Sequence, residues 1–552
     1  MKKKIISSLL ICAMSITLLA GCGGSGDSSE KQDSSKSGAK ESIVRITVAD
    51  TPVMDPAVGM TEAALSIYPN VYDTLVWPEA DGTVSNYAAE DYTVSEDGSS
   101  YDFKIKQGIK FHDGSELNAE DVKYSMDRAI EIGQGLGFLF AKKVKSTEVV
   151  DDYTVRFNLT QPSGVFVSSL ARLYIVNKDL LTENQKDGAY GENGDFGMGY
   201  LQNQDAGSGA YQVEKFEQDQ SVTVTKFEDF WGGFDEKNPE KGQFIIVDET
   251  VTQVTMMSNR ELEISNPYLA LETYEQLDAI DGIDLAGFYK GDVMSISTNT
   301  KKAPLDDEHV RKALAYCVDY DTLVNILYPD SKRLNSCVPP SVMGYTDTAF
   351  DVSFDMDKAK EELAQSKYAD NIGDYEMEIA WVSNCPDREK IALMLQENAG
   401  KLGMKLSIVE VPWASIVETS ATPETTYHMV TVITVPDYSE AGSIFETSFP
   451  NVKNGNPNTM SWAGSEELDA KIADAIGTID IAQREQKYVA LQEEFMKDVP
   501  TIPLFEQNFR YAYQSAYLEW GAAERAKAGE QAVPAMMGYN LLLTDMKLNL
   551  DK

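Results

Sequence analysis

The sequence predicts a mixed α/β or α+β body of more than one domain, on three observations. Segments with a side-chain period of two alternate along the chain with segments of helical period, each helix opened by a capping residue. About 510 residues follow a polar stretch ending near position 42, a length that suggests two to four domains. Aromatic residues make up 10% of the chain and apolar residues 43%, enough to fill several cores.

Tyr101, Phe103 and Ile105 alternate with Asp102, Lys104 and Lys106, a half-buried strand. The same alternation returns at Tyr153, Val155, Phe157 and Leu159, and again at Val222 and Val224. Asn118, with Asp121 three residues later, reads as a helix N-cap and an acidic first turn. Val122, Met126, Ala129 and Ile130 form that helix's apolar face. Asp306 is expected to cap a second helix, with Val310, Leu314, Cys317 and Val318 turned inward. Ile391, Leu395, Ala399 and Leu402 mark a third, with Gly403 where a C-terminal cap belongs. The chain shows no internal repeat.

At the amino end, Lys2, Lys3 and Lys4 precede an apolar run from Ile5 to Ala20. The run is short for a membrane span, which takes about 20 residues, and suits a signal peptide over 1–21. It ends in Leu19-Ala20-Gly21-Cys22, which resembles the bacterial lipobox, so Cys22 is the expected lipidation site. Residues 23–42 hold no large apolar side chain and read as a flexible tether with a reach of roughly 25 Å. The body is thus expected on the outer face of the cytoplasmic membrane, at the cell surface or periplasmic side, touching the membrane through its lipid anchor only.

Composition narrows the partners. The formal charge is -40, and loss of the signal removes three lysines and no acid. Nucleic acid is excluded, because phosphate recognition needs a basic surface. Beyond Cys22, the mature chain has Cys317, Cys337 and Cys385, too few and too scattered for a disulfide framework. Cys317 reads as a buried small hydrophobe; whether Cys337 and Cys385 pair stays open.

A search for chemistry finds none. The histidines are His112, His309 and His428, each in a structural setting. No His-Glu-x-x-His, Cys-x-x-Cys, Gly-x-Ser-x-Gly or Walker-type loop is present. Gly133-Gln134-Gly135-Leu136-Gly137 lacks the strand-turn-helix setting of a dinucleotide loop and reads as a surface loop. No catalytic residue, metal site or cofactor is expected.

One long run carries a positive signal: Tyr101-Asp102-Phe103-Lys104-Ile105-Lys106-Gln107-Gly108-Ile109-Lys110-Phe111-His112-Asp113-Gly114, continuing through Asn118 to Val122. Behind it come Gly207-Ser208-Gly209-Ala210-Tyr211, Asn299-Thr300 with Pro304-Leu305-Asp306, Val310-Arg311-Lys312-Ala313-Leu314, and Ile502-Pro503-Leu504-Phe505. Together these resemble the extracellular solute-binding proteins, family 5, of ABC importers, the oligopeptide, dipeptide and nickel-binding group. The resemblance covers nearly the whole mature body. It implies a periplasmic-binding-protein-like α/β fold, two lobes and three domains around a ligand cleft. By analogy, one lobe combines 43–76, 202–292 and 509–552, an accessory domain at 77–201 packs on it, and the other lobe is 293–508. The crossings are expected near Met294 to Thr298 and Pro503 to Asn508. It also implies permease and ATPase partners, a monomeric binding protein and no enzymatic activity.

The resemblance further implies a ligand set. Asp437-Tyr438-Ser439-Glu440-Ala441 stands where the family reads Asp-Tyr-x-Asp/Glu-Pro, and in peptide binders that first aspartate meets the α-ammonium. The alternative is that Asp437 only caps a turn or the following helix, since aspartate is a common turn and cap residue. Trp413 resembles a tryptophan that walls a side-chain pocket; Thr434 replaces a frequent family tryptophan. Val382, Ser383, Asn384 and Cys385 offer no basic residue for a dipeptide carboxylate, which favours a longer peptide. Such a peptide can be held by backbone bonds, with the chain near Thr61 and Glu62 supplying part of the edge. Other solutes on the same scaffold (an oligosaccharide, a metal chelate, a signalling peptide) and a surface hydrolase with an acidic cleft remain as alternatives.

Overall fold

The computed structural model describes residues 42–383, 385, 387–449 and 457–550. The signal segment, Cys22, the tether and Asn384 lie outside the described residues.

The body opens with β1 (Ile43–Val48) and then α1 (Glu62–Val71), buried along all but its first residue and capped by the Thr61 hydroxyl. A small antiparallel sheet follows: β2 (Ala89–Val94), β3 (Ser100–Ile105), β4 (Val144–Asp151) and β5 (Thr154–Leu159), in the order β2-β3-β5-β4. The expected alternation is visible there, with Tyr101, Phe103, Ile105, Val155, Phe157 and Leu159 all buried. Between β3 and β4 lies α2 (Ala119–Ile132), closed at its start by a reciprocal box. The Asn118 side chain accepts from the Glu120 N–H at 2.8 Å, and Asp121 accepts from the Asn118 N–H at 3.0 Å. The glycine-rich segment after α2 is more than the surface loop expected. Gly133 ends the helix at φ +63°, and Gly137 packs so closely that a Cβ would lie 2.2 Å from the Ala129 carbonyl oxygen.

Three strands, β6 (Tyr211–Glu217), β7 (Ser221–Lys226) and β8 (Lys241–Ile246), then join β1 in the order β1-β8-β7-β6. Next come the long β9 (Asp284–Thr298), α3 (Glu308–Tyr316) and the short β10 (Lys332–Arg333). They are followed by β11 (Glu376–Val382), α4 (Asp387–Gly400), β12 (Lys405–Val411), α5 (Trp413–Thr419), β13 (Met429–Thr434) and α6 (Ala441–Ser448). Then α7 (Glu466–Gly477), α8 (Ile481–Met496) and β14 (Thr501–Tyr513) complete a six-stranded sheet of order β10-β14-β9-β13-β11-β12. The cap of α3 is Asp307, not Asp306: its carboxylate accepts from the His309 N–H, while Asp306 is taken by Lys367 and the Tyr368 hydroxyl. A tertiary contact thus shifts the cap by one residue. Cys317 and Cys337 are buried free thiols, which answers the pairing left open.

Two large cores result. The first gathers residues mainly from β1 to Phe288 and from Phe509 to Leu548, with Tyr438 added; the second runs mainly from Val293 to Phe505, with Ala535 added. Strands β9 and β14 pair with each other along most of their length and contribute to both. The handover falls at 289–292 on β9, a little before the expected crossing, and at 506–508 on β14. The β9–β14 register breaks there, between Tyr289 and Val293. Among the described residues, no helix is long and apolar enough to cross a membrane.

Candidate functional site

Strands β11, β12 and β13 run parallel, so their carboxyl ends share one edge. In open sheets of this kind, ligands settle beyond that edge. Thr434 ends β13 and pairs with Val293 of β9, whose other partner is Glu506 of β14. The chain then runs through Pro436 and Asp437 into α6.

Asp437 is held by its backbone. Its N–H donates to Ser443 Oγ at 2.7 Å, and its carbonyl accepts from Arg172 Nε at 2.8 Å. Its carboxylate has no hydrogen-bond or ion-pair partner among the described residues. The residue is half-buried, so it keeps some contact with solvent while dense protein surrounds it. Burial lifts its carboxyl to about 6, against the pull of Arg172 and Lys143 and with the push of Glu446. A cation placed beside it would lower that value again.

The residues beside it are committed. Tyr438 is buried in the first core, and its hydroxyl donates to Glu446 Oε2 at 2.6 Å, an oxygen that Lys143 Nζ also meets at 2.9 Å. Glu440 is 2% exposed and accepts from Arg484 Nε at 2.8 Å, Arg484 Nη2 at 3.1 Å and Ser168 Oγ at 2.6 Å. Tyr438 and Glu440 therefore hold the segment in place.

The break in the β9 register forms a bulge, Lys290-Gly291-Asp292, a device that re-aims side chains. Gly291 sits at φ +81°, and a Cβ there would lie 2.7 Å from Pro436 Cγ, so glycine lets the Asp437 segment lie against the bulge. Lys290 is buried, 2.5 Å from Glu62 Oε1 and 4.0 Å from the centre of the Phe509 ring. Burial disfavours the Glu62 charge, yet Lys290 and the Tyr268 hydroxyl hold its carboxyl below the usual range. Asp292 and Glu506 are buried, and Asp292 Oδ2 and Glu506 Oε2 have no partner among the described residues. Burial lifts the Asp292 carboxyl to about 7; Lys290 opposes this and the Glu62 and Glu506 carboxylates add to it.

The bulge thus meets Glu62 through Lys290, Thr434 through Val293 and Pro436 through Gly291, with Thr61 and Asp437 next to them in the chain, while Tyr438 turns into the first core. Thr61 and Glu62 stand at a helix start instead of the extended edge expected of them, because the Thr61 hydroxyl caps α1. Trp413 stands apart as the first residue of α5, beyond the carboxyl end of β12, and is 42% exposed. Sequence reasoning missed Arg172, Lys143 and Lys290. Arg172 had a visible signal: it is the lone charge in the apolar run from Val165 to Val176.

The histidines have structural partners. His112 is buried between Asp205, 2.5 Å from its Nδ1, and the Gly209 carbonyl, 3.0 Å from its Nε2. His309 meets Glu362 at 2.7 Å and His428 meets Glu378 at 3.2 Å. Among the described residues, no group of three or more His, Cys, Asp or Glu side chains is arranged to hold a metal ion.

Comparison with known proteins now bears on this geometry. The model of the bacterial extracellular solute-binding proteins, family 5, matches residues 83–456. A probable D,D-dipeptide-binding periplasmic protein of Escherichia coli, DdpA, is 27% identical over 482 residues, covering 86% of this chain and 90% of that one. The substrate-binding protein CtaP of Listeria monocytogenes superposes with a TM-score of 0.77 at 19% identity, over 92% of this chain and 99% of the other. The Helicobacter pylori periplasmic binding protein DppA, solved with the peptide STSA, gives 0.73 at 20% identity, over 92% and 98%. These are binding proteins, not enzymes.

Proposed function

The chain belongs to the bacterial extracellular solute-binding proteins, family 5, and from that premise we propose that it captures peptides for an ABC importer. Two lobes, 43–76 with 202–292 and 509–552 on one side and 293–508 on the other, close on the solute, with 77–201 riding on the first. Two facts support this reading. The cores are distinct, exchanging only Tyr438 and Ala535, and the chain passes between them on two paired strands, β9 and β14, which can flex without unfolding either body. Ligand contacts that favour the closed state then supply the affinity. The closed monomer presents its surface to a permease driven by ATPase subunits. Cys22 carries the lipid, and replacing it with Ser is expected to release the protein from membranes into the soluble fraction.

One observation carries the peptide reading: the Asp437 carboxylate, short of water and lacking a partner, at the sheet edge where ligands settle. Its counter-charge would be the α-ammonium, which every free peptide has whatever its side chains. Such a pair at 4 Å is worth about 4 kcal/mol at an effective dielectric near 20, before desolvation is subtracted. DppA of H. pylori was solved with a four-letter peptide, STSA, a precedent for a longer ligand on this scaffold. A chain longer than a dipeptide also suits a site with no basic residue among 382, 383 and 385. Titration calorimetry with free and N-acetylated peptide pools tests the idea. Acetylation is expected to abolish binding; unchanged heats would refute the ammonium clamp.

A further inference from the structure

Four arginines are buried among the described residues: Arg128, Arg172, Arg311 and Arg484. Three are well satisfied. Arg128 grips both oxygens of Asp55, at 2.7 and 2.6 Å. Arg484 holds Glu440 through two nitrogens. Arg311 has no carboxylate but donates to the carbonyls of Leu305, Asp498 and Val499 at distances between 2.7 and 3.3 Å.

Arg172 differs. It is 4% exposed, yet its polar contacts are the Asp437 carbonyl at 2.8 Å and a long approach of 3.5 Å to the Tyr174 hydroxyl. Among the described residues no carboxylate forms an ion pair with it, and its Nη2 makes no hydrogen bond yet is not among the sealed, unpartnered polar atoms, so it keeps a path to solvent. A guanidinium has five N–H donors, and burying it unpaired is expensive. Its backbone is pinned by the neighbouring residue, whose carbonyl accepts from the Tyr539 hydroxyl at 2.8 Å. The Tyr539 ring lies 5.7 Å from the guanidinium carbon. A planar fork in no ion pair is therefore set beside a carboxylate that is in no ion pair either, the two near enough to feel each other's charge.

We propose that Arg172 holds an anionic group of the captured solute, so that the cleft prefers a solute with a carboxylate close to its free ammonium. This rests on the peptide reading of Asp437. Because Arg172 Nε bonds the carbonyl of Asp437 itself, both charged groups sit at the same residue of the backbone. An acidic first residue presents a matching pair, and so does a very short peptide with a free carboxyl end.

Calorimetry on the whole protein separates these sources. Amidated Glu-Ala-Ala is compared with its isostere, amidated Gln-Ala-Ala, and free Ala-Ala with Ala-Ala amide. A carboxylate at Arg172 is expected to tighten at least one of these pairs by about tenfold, the range of a charge-assisted fork. Gain in the first pair assigns the anion to a side chain; gain in the second assigns it to the ligand's carboxyl end. Arg172→Lys keeps the charge and loses the fork, and should cut the ratio to about threefold or less. The peptide comparison on the unaltered protein stands by itself if the variant folds poorly. Equal affinities within both pairs, or a ratio that survives Arg172→Lys, would overturn the assignment while leaving the ammonium clamp intact. Absence of binding by all four peptides would refute the peptide reading, and this inference with it.

Discussion

Glu440 and Asp437 lie three residues apart in the segment leading into α6, and each faces a buried arginine from elsewhere in the chain. At Glu440 both carboxylate oxygens are taken, by Arg484, Ser168 and the Tyr488 hydroxyl, and both partners of the ion pair are sealed from water. At Asp437 the arginine bonds the backbone carbonyl instead, so the carboxylate and most of the guanidinium are left over. Each site sets one carboxylate beside one buried arginine, but Glu440 is 2% exposed and Asp437 half-buried, and the hydrogen bonds are spent differently. A closed pair holds structure together; an open pair leaves two charges that a solute can complete.

Breaking the closed pair should have the largest effect. Arg484→Ala leaves Glu440 buried without its cation, and urea unfolding is expected to show a loss of about 3–5 kcal/mol. Asp437→Asn should do the reverse. Its unfolding free energy should stay within about 1 kcal/mol, while affinity for free peptides falls about tenfold to a hundredfold. A variant that binds as tightly as the original would remove the distinction drawn here.

The Lys290-Gly291-Asp292 bulge gives a third, pH-dependent comparison. Asp292 has its carboxyl lifted to about 7 in the folded protein, chiefly by burial, above its ordinary value of 3.8. The folded state therefore holds this proton more tightly than the unfolded chain does. Its contribution to stability is complete below about pH 4 and is lost as pH rises toward 7. Asp292→Asn should flatten that fall, gaining on the order of 4 kcal/mol at pH 8 relative to pH 4. Chemical denaturation across that range, with Lys290, Glu62 and Glu506 unchanged, reads the effect. The smallest change is expected at Trp413, which is 42% exposed: Trp413→Ala should move stability by less than about 0.5 kcal/mol. A marked drop would mean that this indole is packed more firmly than its exposure indicates.

Much of the fold was legible because it is local. The period of two on β3 and β5 and the Asn118–Asp121 box on α2 depend on neighbours a few residues away. The one-residue error at the α3 cap shows the limit: Asp306 and Asp307 are equivalent in sequence, and Lys367 and Tyr368 decide between them. Asp437 is singled out by family resemblance alone. Its setting was not legible, since the arginine on its carbonyl is 265 residues away, and the lysine on Glu62 is 228 away.

The sequence by itself determined the strands, the helices, the family scaffold and the absence of a catalytic or metal-binding motif, all of which follow from short-range pattern. Tertiary structure alone decided which charges lose water and which of those are neutralised. Charge energetics depends on local dielectric and on partners brought together by folding, and neither is encoded in any single stretch of chain.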